Sequence, residues 1–192
     1  VAVKYTNADF FGGDLSVDAY WADQAMRYIP ENGTDRQLTK PAPAEADRIW
    51  DQSEIVSDKK GLRVGYGYHE LAGVEGLRLR AGVDFVEDTA AQRLALTNRL
   101  WVPPMEYTSL AGYAQLSWDI GPVTLDAGVR REDGELSIDS YTTVAFRDHT
   151  PVQGGKLDYK ATMPNFGAIW RINDQFSVFA SYSEGFGIAN VG

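Results

Sequence analysis

The chain has no cysteine in its 192 residues. Disulfides, thiolate nucleophiles and cysteine-ligated metals are therefore excluded. Histidine is nearly absent as well: His69 and His149 are the only two, far apart in sequence, and a shared metal site is not expected. Basic residues are in deficit, with 18 Lys and Arg against 27 Asp and Glu and a net charge of -9. That balance does not fit a nucleic-acid surface, which needs an excess of cations over phosphates. No stretch approaches the roughly 18 consecutive apolar residues of a membrane helix. Helical crossing is thereby excluded, but crossing by strands is not, because each strand carries only a weak alternating signal. Positions at i, i+3 and i+4 are rarely apolar together, so helices are not predicted.

Several chemistries lack their parts. Ser181 and Ser183 have no histidine near them in sequence, so a Ser-His-Asp hydrolase is unsupported. Asp14, Asp18 and Asp23 do not have the spacing of a calcium loop. No helix pattern follows Gly65-Tyr66-Gly67, so it is not a phosphate loop. The first residues, Val1 to Tyr5, have no basic-then-apolar leader pattern and read as strand.

What the sequence does contain is alternation. Leu77, Leu79, Ala81, Val83 and Phe85 fall on one side of a strand, and Arg78, Arg80, Gly82 and Asp84 on the other, because successive side chains of a strand face opposite ways. The same pattern marks Val1–Thr6, Leu15–Trp21 (with a possible run on to Tyr28), Leu62–His69, Leu110–Ile120, Val123–Arg130, Phe166–Ile172 and Phe176–Ser183. About eight strands result. The connections between them alternate short and long. Gly12-Gly13, Leu71 to Gly76, Gly121-Pro122 and Asn173-Asp174 make short turns, while Pro30 to Trp50, Glu87 to Met105 and Tyr141 to Lys156 are long and polar. Pro164 interrupts a predicted strand, and a bulge or strand start is expected there, since proline cannot donate to a ladder.

The fold class predicted is all-β: an antiparallel up-and-down transmembrane β-barrel segment of about eight strands in four hairpins. A spanning sheet must pair all its backbone groups. Its outer face is apolar, its lumen polar, its periplasmic turns short and its outer loops long. Trp118, Trp170, Phe176 and Tyr68 lie near the short turns on the apolar face, where an aromatic girdle belongs. A soluble sandwich or lipocalin-like barrel also alternates. It would have to bury Asp18, Arg63, Arg78, Arg80, Asp84, Asp119, Asp126, Arg130 and Arg171 in a dry core, at a cost no such core bears.

The last third narrows the reading. The segments Gly154-Gly155-Lys156-Leu157-Asp158-Tyr159, Pro164-Asn165-Phe166-Gly167-Ala168-Ile169-Trp170 and Val178-Phe179-Ala180-Ser181-Tyr182-Ser183-Glu184-Gly185-Phe186 resemble a strand pair of the TonB-dependent outer-membrane receptors. The ending from Gly185 is similar to hydroxamate and aerobactin-type siderophore receptors, with Ala189-Asn190 where that group has Pro-Asp. The resemblance implies that residues 1–192 are part of one receptor barrel domain of about 22 strands, with the plug domain and the remaining strands outside this sequence. It implies a receptor in the Gram-negative outer membrane that binds a ferric siderophore and imports it with TonB-transmitted energy. No enzyme activity, resident cofactor or metal is implied. The partners implied are the ferric siderophore, the TonB complex through an N-terminal part, and lipid or lipopolysaccharide; nucleic acid is not among them.

Siderophore-binding candidates follow from the outer halves of the strands and the long loops. Tyr20, Tyr28, Tyr107 and Tyr159 point inward by alternation, Arg48 and Trp50 end the first long loop, and Arg99 and Trp101 sit in the second. Arginine reads carboxylates with its planar fork and aromatic rings pack on chelate surfaces. Arg63, Arg78, Arg80, Asp84, Asp126, Arg130 and Arg171 are expected to face the lumen, either toward a plug or paired with one another across strands. Two other functions compete. A complete eight-stranded barrel with a structural or adhesion role would pair its first strand with its last. A barrel enzyme would need a clustered nucleophile and base, which the sequence lacks.

Overall fold

The computed structural model describes residues 1–27, 36–38, 50–95, 98, 100–143, 149–185 and 187. It is built almost wholly of strands: β1 (Ala2–Phe10), β2 (Gly13–Arg27), β3 (Arg36–Leu38), β4 (Trp50–Tyr68), β5 (Leu77–Leu94), β6 (Leu100–Ile120), β7 (Val123–Ile138), β8 (Tyr141–Thr142), β9 (Pro151–Val152), β10 (Gly155–Arg171) and β11 (Ser177–Ser183). Eight of them form one antiparallel meander in the order β1-β2-β4-β5-β6-β7-β10-β11. β3 adds to the start of β4, and β8 with β9 makes a separate small hairpin. The predicted eight strands in four hairpins are thus present. Turn chemistry explains the tight ends. Phe11 and Gly12 both have positive φ, 51° and 79°, the requirement of a two-residue turn whose twist matches the flanking strands.

Among the described residues β1 pairs only with β2 and β11 only with β10, so the sheet is open. The first-to-last pairing that a complete eight-stranded barrel demands is not formed.

The strands are longer than the alternation predicts. β6 has 21 residues, β4 has 19 and β5 has 18. Most of the polar stretch Glu87 to Met105, expected as a loop, is strand, because β5 runs to Leu94 and β6 starts at Leu100. Cross-strand pairs supply the reason: Lys60 Nζ donates to Glu87 at 3.1 Å on the outward face and Lys59 Nζ to Asp88 at 3.1 Å on the inward one, so the ladders continue beyond the level where the outward face turns polar. The ladder between β5 and β6 is irregular only near Pro103-Pro104, where the register shifts twice. Pro164, by contrast, makes no bulge. It sits in unbroken register opposite Val129, and its carbonyl accepts from Glu184 N at 3.1 Å on the side where β11 has just ended. Its missing N–H points to that side too, since both backbone groups of a strand residue point the same way, and no β7 bond is lost.

The burial is inverted relative to a soluble sheet. Val83 is 52% exposed while its neighbour Asp84 is 7% exposed. Leu110 is 59% exposed and Ala111 2%. One layer of sheet can bury its polar face without a cover only if it curves toward that face, so charged residues line a concavity and apolar ones its convex outside. The apolar belt spans Leu77–Phe85 on β5 and Leu110–Ile120 on β6, the 9–11 residues a tilted strand needs to cross a bilayer. Its upper limit drops to Val129 on β7 and Pro164 on β10, which pair with each other but lie below the Phe85–Leu110 row. Strand tilt in a closing sheet produces such a stagger.

Candidate functional site

The concave face carries a continuous polar network. Arg63 Nε donates to Asp84 Oδ1 at 2.8 Å, and Arg130 donates to Asp84 Oδ2 at 2.5 Å. Arg130 Nε also reaches Glu132 Oε2 at 3.3 Å, while Ser109 and Tyr107 hydroxyls donate to Glu132 Oε1 at 2.9 and 3.2 Å. Register explains the chain of contacts: Asp18, Arg63, Asp84, Ala111 and Glu132 occupy one row across five strands. Ala111 is the small member, and its size leaves room for Arg130 to pass from one row to reach Asp84. A buried charge is tolerated only when paired and hydrogen-bonded, a condition that Asp84 meets through Arg63 and Arg130, and Glu132 through Arg130, Ser109 and Tyr107.

A second network lies near the short turns. Arg78 donates to Asp119 Oδ2 at 2.8 Å, Thr124 Oγ1 donates to Asp119 Oδ1 at 2.6 Å, and Arg171 donates to Thr124 Oγ1 at 2.9 Å. Cross-strand pairing therefore accounts for Arg63, Arg78 and Arg130. Arg171 meets the hydroxyl of Thr124. Arg80 and Asp126 make no ion pair with each other and instead line one cavity of about 280 Å³ with Asp14, His69, Arg78 and Gln115. His69 Nε2 lies 2.8 Å from Asp14 Oδ2 at its edge.

Tyr20 and Tyr107 do face inward. Neither ring projects freely. Tyr20 lies across Gly61, its partner on β4, so closely that a Cβ there would meet the ring at 2.2 Å. Tyr113 covers Gly82 in the same way, and Tyr107 lies over Gly134, whose partner on β10 is Tyr159. The predicted site residues thus divide by position. Tyr20, Tyr107 and Tyr159 line the concave wall above the Asp84 row. Trp101, assigned to a loop from sequence, is the second residue of β6, because that strand begins at Leu100. Trp50 opens β4 opposite Leu38. Tyr28, Arg48 and Arg99 lie outside the described residues. Sequence reasoning missed Glu132, which organises Arg130, Ser109 and Tyr107, although its parity with Arg130 already put it on the inward face. It also missed the glycines beneath the tyrosines, whose signal was their place on the charged side of each alternation.

Above the apolar belt the outward face is charged. Glu54 is buried between Arg93, at 3.0 Å, and Arg27, at 2.9 Å; their hydrogen bonds hold its carboxyl below the usual range. Asp23 faces Asp58 across β2 and β4. The Trp21 indole donates to Asp58 at 2.9 Å and pulls its carboxyl down, while the hydrogen bond to Asp58 pushes Asp23 up. Among the described residues no cluster of His, Asp and Glu has the makings of a metal centre.

Comparison with known proteins agrees with this geometry. The family model "TonB dependent receptor-like, beta-barrel" matches residues 2–192. The ferric aerobactin receptor of Klebsiella pneumoniae is 22% identical over 96% of this chain, which spans 28% of that protein. The rhizobactin receptor of Rhizobium meliloti (strain 1021) is 21% identical over 96% of this chain and 27% of its own length. Among solved structures, the copper transporter OprC superposes with a TM-score of 0.67 at 12% identity, covering 95% of this chain and 30% of that one, a likeness of fold. The chain spans less than a third of these relatives. An open, eight-stranded wall with a charged concave face and an apolar convex belt is what such a share of a larger barrel contains, and the chain belongs to the TonB-dependent receptor β-barrel family.

Proposed function

We propose that this chain is a strip of the wall of an outer-membrane receptor that binds a ferric siderophore outside the cell and admits it with energy delivered through TonB. The observation that carries the reading is the inverted burial. A sheet that hides Asp84 and exposes Val83 is stable only with lipid against one face and a wet lumen against the other. By the rule that barrels of this kind keep short turns on the periplasmic side, the Gly12, Gly121 and Asn173 turns face inward to the cell and the β8–β9 hairpin faces out.

The ligand class is supported by the names of the two curated relatives, receptors for ferric aerobactin and for rhizobactin. It is also consistent with a wall that offers phenols at Tyr20, Tyr107 and Tyr159 above a row of paired arginines. Iron-starved cells whose only siderophore receptor contains this chain provide the test. Ferric hydroxamate and citrate-hydroxamate chelates should restore growth, and removal of TonB should abolish the rescue. No growth on any hydroxamate overturns the ligand class. Growth without TonB overturns the energy coupling.

A further inference from the structure

The concave face changes character along the strands. At the level of the belt it is charged, but beyond the belt, on β6, β7 and β10, it becomes apolar. Met105 pairs with Ile138, and Leu136, flanked by Tyr107 and Leu157, sits one row deeper. Met105, Leu136, Ile138 and Leu157 share the parity of Ser109, Glu132 and Tyr159, so they face the lumen. With Val102, and with Tyr141 and Val152 of the β8–β9 hairpin, they line a cavity of about 290 Å³. Its floor is buried at Leu136, and its rim is open at Leu157 and Val152.

An aqueous pathway has no use for such a surface, because apolar area facing water is unfavourable in proportion to its extent. Ligand pockets, on the other hand, are mostly apolar with a few placed polar groups, and roughly 300 Å³ is the lower end of their size. The polar groups lie adjacent: Tyr107, Ser109 and Tyr159 occupy the same rows or the next one down. Depth along the strands therefore sorts the lumen into an apolar pocket at the long-loop end and hydroxyls and charges beneath it.

We propose that this pocket takes the hydrocarbon portion of an amphiphilic ferric chelate, with the polar iron-binding end resting on Tyr107, Ser109 and Tyr159. The assignment rests on the siderophore reading and adds to it a ligand with an acyl tail. The test compares two ferric citrate-hydroxamate chelates with identical iron-binding groups, one bearing a medium-length acyl chain and the other an acetyl cap. Binding is measured on the intact receptor by tryptophan fluorescence. Each buried methylene is worth about fourfold in affinity, so burial of about three predicts a preference of about 60-fold for the acyl form. Leu157→Gln and Val152→Ser should each lower that preference about fivefold; both side chains sit on the open rim, and either variant suffices if the other fails to fold. Equal binding of the two chelates overturns the subsite and leaves the siderophore reading standing. A preference unchanged in both variants places the tail elsewhere and overturns the subsite too. If neither chelate binds, the siderophore reading falls and the subsite with it.

Discussion

The two halves of the long strands follow different rules, and on β6 and β7 opposite ones. In the half next to the short turns, apolar side chains such as Val83 and Leu116 point outward and charges such as Arg63 and Asp84 point inward. In the half next to the long loops, Lys60, Glu87, Arg131 and Glu135 point outward, while Met105, Leu136 and Ile138 point inward. The backbone does not change across the boundary: β6 and β7 stay in unbroken register from Met105–Ile138 to Ile120–Val123. What changes is the solvent. Lipid outside selects one phase of the alternation, and water outside selects the other.

Substitutions on either side of that boundary should separate the two regimes. The largest effect is expected for Val83→Arg, in the middle of the belt, which should destabilise the receptor in lipid vesicles by about 2–4 kcal/mol. Glu106→Arg, on the same outward face above the belt, should change stability by less than about 0.5 kcal/mol. Equal costs in urea unfolding would erase the distinction between the halves.

Next comes the inward face. Asp84→Ala leaves Arg63 and Arg130 without their shared carboxylate. Since both arginines still reach water, the cost should be about 2 kcal/mol, below the value for a fully buried pair. Lys59→Ala, which breaks an exposed pair with Asp88 in the upper half, should cost no more than about 0.5 kcal/mol. Similar losses for the two would show that the lower lumen is no drier than the upper.

A smaller effect concerns packing. Gly61→Ala places a methyl against the Tyr20 ring and should cost about 1–2 kcal/mol. Combined with Tyr20→Ala, much of that loss should disappear, giving a coupling of about 1 kcal/mol in a double-mutant cycle. Strict additivity would mean that the ring does not rest on the glycine.

The smallest effect is on pH. The carboxyl of Glu54 is held low by Arg93 and Arg27, so its contribution is fully present above the ordinary value of 4.5 and is lost as pH falls through the lowered one. Protection factors of the β4 amides near Glu54, with the intrinsic pH dependence of exchange divided out, should therefore fall on acidification below 4.5, and Glu54→Gln should flatten the response.

Much of the lower half was legible in the sequence, because lipid demands an uninterrupted apolar phase and the strands between the short turns supply it. The upper half was not. There the apolar phase switches sides: odd positions are apolar from Val123 to Val129, but even ones at Leu136 and Ile138. A test for one continuous phase ends the strand where the solvent changes and reads the remainder as loop. The same limit placed Trp101 in a loop. Pro164 misled for a different reason, since its harm depends on which neighbour its nitrogen faces, and only the register reveals that β11 has ended there. Of the candidate site, the inward direction of Tyr20, Tyr107 and Tyr159 followed from parity. Their proximity to Gly61 and Gly134 depends on pairing between strands, which one chain's alternation does not contain.

The tyrosine rings resting on glycines have a mechanical consequence. Tyr113 extends from β6 over Gly82 of β5 and reaches toward Gly65 of β4, so it acts as a diagonal brace across two seams. If β5 slid along β6 by two residues, the faces would be kept, but the phenol would meet Arg80 or Asp84 in place of a hydrogen atom. The glycines are notches that hold the strands at one setting, and they make this wall stiff against shear.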